Sequence, residues 1–159
     1  KRKPMLELSD MSREAMERMR DTVWAIDARK DKYENLIDRM RDFAEKTLER
    51  KNITHDFIKS GLDGKKFISP EVRQNIYLIF KEAITNIIRH ADAQHVAINF
   101  SQDGDRVILS IHDNGTIHLS GSPDGQGISN MKMRAAKIDG TIRIETDSGY
   151  RVVLELMMK

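Results

Sequence analysis

The sequence has no cysteine. Disulfide bonds and cysteine-ligated zinc are therefore excluded, which suits a reducing cytoplasm. It has little excess of charge: the formal net charge is +2, too small to call for nucleic acid or an acidic membrane surface. It has no long apolar run. Stretches such as "YLIF" and "VILSI" fall far below the roughly 20 residues that a membrane-spanning helix needs, and no signal peptide is recognisable. There is no internal repeat, no low-complexity tract and no Met at position 1. The chain is expected to be a fragment of a longer protein, touching neither nucleic acid nor membrane.

What is present is the composition of a folded domain. At 159 residues, 39% hydrophobic and 33% charged, the chain fits one globular unit with an appended helix. Ser9 or Asp10 is a candidate cap for a helix reaching about Ala28, on which Met16, Met19, Val23 and Ile26 form a short heptad seam. Either its own domain or a partner helix would cover that seam. A second helix is predicted from Lys32 to about Arg50, with Tyr33, Leu36, Ile37, Met40, Phe43, Ala44 and Leu48 on one stripe. "NITHDFIKS" alternates as a strand does, "GLDGKK" reads as a loop, and Ser69–Pro70 starts a third helix running to about Ala91.

From there the period changes. "HVAINF" and "RVILSIHD" alternate around an Asp-Gly turn, residues 114–127 form a Gly-rich loop, and "ISNMKMRAAKI" is helical with Gly140 as its stop signal. "TIRIET" and "RVVLELMM" close the chain as a hairpin turning at Asp147–Gly149. Strands that bury Val107, Leu109, Ile111, Val152, Leu154 and Leu156 need helices over one face. The expected fold is α+β, a two-layer sandwich with a mixed, mostly antiparallel sheet.

The chemistry concentrates in three places. In "FKEAITNIIRHA", Phe80, Ala83, Ile84, Ile87, Ile88 and Ala91 make the apolar face. Glu82, Asn86 and Arg89 form a polar file beside it, within an arc of roughly 60°. A solvated face would more usually carry Lys, Glu and Gln; the amide oxygen of Asn86 suits Mg²⁺, Glu82 one turn earlier could orient a water on that ion or act as a base, and Arg89 or His90 suits phosphate. Asp113, in "DNG", is either a turn residue or an acceptor for an exocyclic amine such as that of adenine. Gly125 and Gly127, in "GQGISNM", open a helix and would let backbone N–H groups approach a phosphate. No dinucleotide fingerprint and no Walker A loop is present.

"EAITNIIRHA", "DNG" and "GQGISNM" resemble, in order and spacing, the N box and the two glycine boxes of the GHKL ATPase and kinase superfamily. "SGYRVVLELMM" resembles its closing strand motif, with Tyr150 where that motif usually has Thr; Ile117 stands where the first glycine box commonly has a second Gly. "GQGISNMKMRA" is most similar to bacterial sensor histidine kinases of the nitrate-sensor and desaturase-sensor type. "MRDTVWAID" and "LIDRMRDFAEKTL" resemble the segment joining their dimerisation helices to the ATP domain.

The resemblance implies a Bergerat-type ATP fold over residues 31–159 and part of a dimerisation helix with its linker over 1–30. It implies ATP and Mg²⁺ as cofactors. Asp113 would bind the adenine amine, Asn86 would ligate Mg²⁺, and Glu82 would lie beside that ion. Arg89 and His90 would lie near phosphate or ribose, Gly115 would shape the adenine pocket, and Gly125 and Gly127 would form the lid hinge and phosphate approach, with the lid at about Thr116–Asp124. The phosphoacceptor His would lie on an upstream dimerisation helix; His55, followed by Asp56, stands in a strand-like segment instead. The implied partners are that helix, a second copy in the full-length protein, and a response regulator, in the cytoplasm or on the cytoplasmic side of a membrane-anchored sensor. Two other readings stay open: a different GHKL enzyme, either a protein serine kinase or an ATPase, and a degenerate non-catalytic nucleotide module.

Overall fold

The computed structural model describes residues 3–116 and 125–158. Five strands, β1 (Thr54–Ser60), β2 (His95–Asp103), β3 (Arg106–Asp113), β4 (Thr141–Glu145) and β5 (Arg151–Met157), form one sheet in the order β1-β2-β3-β5-β4. β1 pairs with β2 in parallel; the other three pairings are antiparallel. Helices α2 (Tyr33–Glu49), α3 (Pro70–His90) and α4 (Gln126–Lys137) supply the second layer. This is the expected two-layer α+β sandwich with a mixed, mostly antiparallel sheet.

Alternation decides which face of the sheet is covered. Val96, Ile98 and Phe100 of β2, Val107, Leu109 and Ile111 of β3, and Val152, Leu154 and Leu156 of β5 are all buried. The intervening Asn99, Ser110 and Glu155 face away from the helices. Over the buried face lie Ile76, Ile79, Phe80, Ala83, Ile84 and Ile87 of α3, with Leu36, Met40, Ala44 and Leu48 of α2 beside them. Fully burying one such side chain contributes about 1.5–3 kcal/mol before entropy is counted. That contribution holds α3 against β3, and so sets the positions of Glu82 and Asn86.

The elements end where local chemistry stops them. Ser69 caps α3, its Oγ accepting from the Val72 N–H at 3.3 Å, with Pro70 in the first turn. Gly104, at φ +57°, turns β2 into β3. At the end of α4 the left-handed residue is Asp139 (φ +53°), and Gly140 follows it, its N–H donating to the Ala135 carbonyl at 2.9 Å. Gly140 is thus the residue after the turn rather than the turn itself. A Cβ there would lie 3.1 Å from the Glu155 carbonyl oxygen, so close packing rather than backbone conformation favours glycine.

The first helix, α1 (Lys3–Ile26), differs most from the sequence reading. It starts before Ser9 and Asp10, with Pro4 in its first turn, where a missing N–H costs little, and it ends before Ala28. Its last turn is capped from elsewhere. Arg73 of α3, fully buried, donates to the carbonyls of Ala25 (2.6 Å) and Trp24 (3.0 Å) and to the Asp31 carboxylate (2.6 Å). Its guanidinium also lies 4.8 Å from the centre of the Trp24 ring. Asp21 adds a second fastening, paired with Arg39 of α2 and, at 2.8 Å, with Lys81 of α3. The seam residues Met16, Met19, Val23 and Ile26 are between 54% and 76% exposed. Their own domain does not cover them. Among the described residues, no helix is long and apolar enough to cross a membrane.

Candidate functional site

Glu82 and Asn86 are half-buried on α3, facing the start of α4. A Cβ built on Gly127 would stand 2.1 Å from Glu82 Oε1 and 3.5 Å from Asn86 Oδ1. Only glycine lets the first turn of α4 approach these oxygens so closely with Glu82 where it stands. Gly125 is the N-cap of α4, with no side-chain capping bond. The helix therefore presents its positive end and first N–H groups next to a carboxylate and an amide oxygen.

Asp113 closes β3 from the other side. It is 1% exposed, and a buried carboxylate is tolerable only when hydrogen-bonded. Oδ1 accepts from the Gly115 N–H at 2.6 Å and Oδ2 from the Tyr150 N–H at 3.1 Å. Two carboxylate oxygens have about four acceptor positions, so capacity remains for a donor from a ligand. The backbone around it is tightly constrained. A Cβ on Gly115 would lie 2.7 Å from the Ala93 nitrogen, and one on Gly149 (φ +86°) would lie 2.2 Å from the Asp113 carbonyl oxygen. Asp113 Oδ1, accepting from the N–H two residues on, makes the Asx turn of "DNG"; Asn114 Oδ1 instead accepts from the N–H groups of Gln94 (3.0 Å) and His95 (2.9 Å), tying the end of β3 to the start of β2. The turn reading of Asp113 and its reading as an acceptor are compatible, because bonds to two N–H groups leave acceptor positions on the carboxylate.

Tyr150 joins the two halves. Its backbone N–H holds Asp113, and its hydroxyl accepts from Asn86 Nδ2 at 3.1 Å. Burial, chiefly, pushes the phenol above the ordinary tyrosine range; the Asn86 hydrogen bond opposes this, and the carboxylates of Glu82 and Asp113 reinforce it. Tyr150 therefore keeps its proton at neutral pH. From the sequence it was only a departure from a motif, because the length of a phenol cannot be placed without knowing what stands opposite.

The other candidates separate. Arg89 is exposed, and it lines a groove of about 640 Å³ between α1, α3 and α4 that Glu82, Lys81, Asp21 and Arg134 also line. Asn86 and Asp113 are not among its walls, so Arg89 lies on the α1 side of Glu82. His90 is half-buried at the last position of α3. Thr116 is exposed and its carbonyl accepts from the Asp92 N–H at 3.2 Å. The rest of the expected lid, 117–124, with Ile117 and His118, lies outside the described residues. His55, His95 and His112 all lie in strands.

Among the described residues, no cluster of three or more His, Cys, Asp or Glu side chains is placed to hold a metal ion. Glu82 and Asn86 nevertheless supply two hard oxygen donors one helical turn apart beside a helix N-terminus. That set fits Mg²⁺, which takes few protein ligands and completes its shell with water and phosphate oxygens.

The model of the histidine kinase-, DNA gyrase B-, and HSP90-like ATPase family matches residues 71–159. The chain belongs to this family. Its matched part begins at the N-terminus of α3 and includes every candidate site residue. The sensor histidine kinase YxjM of Bacillus subtilis is 35% identical over 120 residues, covering 74% of this chain and 29% of that protein. The chain spans well under half the length of the curated relatives it matches. Among solved structures, the histidine kinase AdeS of Acinetobacter baumannii superposes with a TM-score of 0.67 at 16% identity, over 99% of this chain and 83% of that one. ShkA, solved full-length in complex with AMPPNP, gives a TM-score of 0.60 at 18% identity, over 77% and 29%. At those identities the likeness is one of fold.

Proposed function

We propose that this ATPase-family domain is the ATP-binding catalytic part of a sensor histidine kinase, acting on Mg·ATP. The observation that carries the reading is the convergence of Asp113, Asn86 and Glu82 around Tyr150, opposite the N-terminus of α4. Asp113, anchored by two backbone N–H groups, accepts the exocyclic amine of adenine on its remaining lone pairs. Gly115 keeps that end of the pocket open. Asn86 Oδ1 ligates Mg²⁺, and Glu82 lies beside the ion. Gly125 and Gly127 admit the phosphates to the start of α4, and Arg89 and His90, at the last turn of α3, are assigned to phosphate or ribose. ATP, when bound, supplies the γ-phosphoryl group; the residues of the chain bind it and orient it.

The acceptor belongs elsewhere. His55, His95 and His112 are strand residues, unlike a nucleophile carried on an exposed helix. The phosphoacceptor His is assigned to an upstream dimerisation helix, with residues 1–30 as the end of that region and its linker, and residues 31–159 as the catalytic domain. A second copy and a response regulator complete the relay, in the cytoplasm or on the cytoplasmic side of a membrane-anchored sensor. This reading extends to the chain the activity printed in the names of its relatives.

Calorimetric titration with a non-hydrolysable ATP analogue, with and without Mg²⁺, tests it. The wild-type chain is expected to bind more tightly with Mg²⁺, and Asn86→Ala to lose that gain, weakening Mg-dependent binding by about 10- to 100-fold. Equal affinities for the two chains would remove Asn86 from the site.

A further inference from the structure

We propose that Tyr150 is the positioning residue of the nucleotide site, its hydroxyl holding the Asn86 amide so that Oδ1, not Nδ2, faces the metal and the phosphates. The inference rests on the nucleotide-site reading above and concerns a residue to which that reading assigns no role.

An asparagine amide has two ends of nearly equal size and opposite function. Only the oxygen can ligate a cation, and the NH₂ end presented to Mg²⁺ would repel it. On α3 nothing local fixes the choice. Thr85, the adjacent hydroxyl, is engaged by the Lys81 carbonyl at 2.8 Å. The group that meets Asn86 Nδ2 is the Tyr150 hydroxyl, 64 residues away in sequence and 3.1 Å away in space. With Nδ2 so engaged, Oδ1 lies on the Gly127 side, next to Glu82 Oε1.

The phenol itself is firmly held. Tyr150 is buried, and its N–H and carbonyl both bond Asp113, to Oδ2 and from the N–H, each at 3.1 Å. A shift of Asp113 is thus transmitted through one residue to Asn86, linking the adenine end of the site to its metal end. The reach matters. A hydroxyl carried directly on Cβ, as in threonine, stops well short of Asn86, whereas the ring of tyrosine spans the gap. The hydroxyl's own proton is not used in this bond, because the hydroxyl accepts from Asn86 Nδ2.

The test uses the same titration on Tyr150→Phe and Tyr150→Thr. Phe keeps the ring and removes the acceptor; thermal unfolding shows whether each variant remains folded. For Tyr150→Phe, affinity without Mg²⁺ is expected to stay within about twofold of wild type, while the gain from Mg²⁺ falls about 2- to 10-fold, the scale of one hydrogen bond. Tyr150→Thr, with a hydroxyl in the wrong place, should not restore it. The side-chain NH₂ resonances of Asn86 in ¹⁵N spectra of the ligand-free protein should shift in Tyr150→Phe. An unchanged Mg²⁺ gain in the folded Phe variant overturns the proposal. So does tighter binding by the Thr variant, which would make the ring an obstruction. Failure of the wild-type chain to bind any adenine nucleotide would instead overturn the nucleotide reading, and this proposal with it.

Discussion

Helices α1 and α3 both depart from the pattern of an ordinary surface helix, in opposite directions. α1 exposes Met16, Met19, Val23 and Ile26 where solvent would favour polar residues. α3 buries Arg73 and half-buries Glu82 and Asn86 beside its apolar face. On α3 each departure is matched within the chain: Arg73 by carbonyls of α1 and by Asp31, Asn86 by Tyr150, Glu82 by Gly127 in the first turn of α4. On α1 the seam has no such match among the described residues. An out-of-place residue marks where a helix meets something besides a hydrophobic core, and the structure shows whether that something lies inside the chain.

The two helices meet at Arg73. Arg73→Ala removes the partner of Asp31 and leaves the Trp24 and Ala25 carbonyls without their donor. The expected loss is about 3 kcal/mol, the lower end for breaking a buried ion pair because Asp31 is partly exposed. Denaturant unfolding measures it, and Trp24 fluorescence reports release of the α1 end. A loss below about 1 kcal/mol would mean that α1 is held mainly by Asp21.

The smallest effect is expected on the seam. Replacing Met16, Met19, Val23 and Ile26 together by Ser should change the stability of the monomeric chain by no more than about 0.5 kcal/mol per site, since those side chains are already in water. A cooperative loss of several kcal/mol that depends on protein concentration would place a partner on the seam even in this chain.

Legibility in the sequence followed the range of the interaction. The strands, the α2 stripe and the Ser69–Pro70 start of α3 rest on periodicity and local capping, and the structure has them within a few residues. The start of α1 and the turn at Asp139 were misplaced because several capping solutions compete there. Asp113, Asn86, Glu82 and Gly127 stood out singly as unusual residues in regular patterns, and the fold brings them together. Arg73 did not, and Tyr150 showed only as a departure from the closing strand motif. Arg73 sits in line with Ile76, Tyr77 and Phe80, a position where a charge signals a buried partner, but that partner is 42 residues away. Tyr150 lies 64 residues from Asn86. Neither pairing has a local signature.

If Asp113 and the α3 oxygens form one adenine-nucleotide site, the ATP affinity of folded Asp113→Asn against wild type, by calorimetry in the presence of Mg²⁺, reads it out. Loss of the charged acceptor should weaken binding by about 10- to 100-fold, equivalent to roughly 1.5–3 kcal/mol, with circular dichroism unchanged. An unaltered affinity in the folded variant would take Asp113 out of the site and contradict the account.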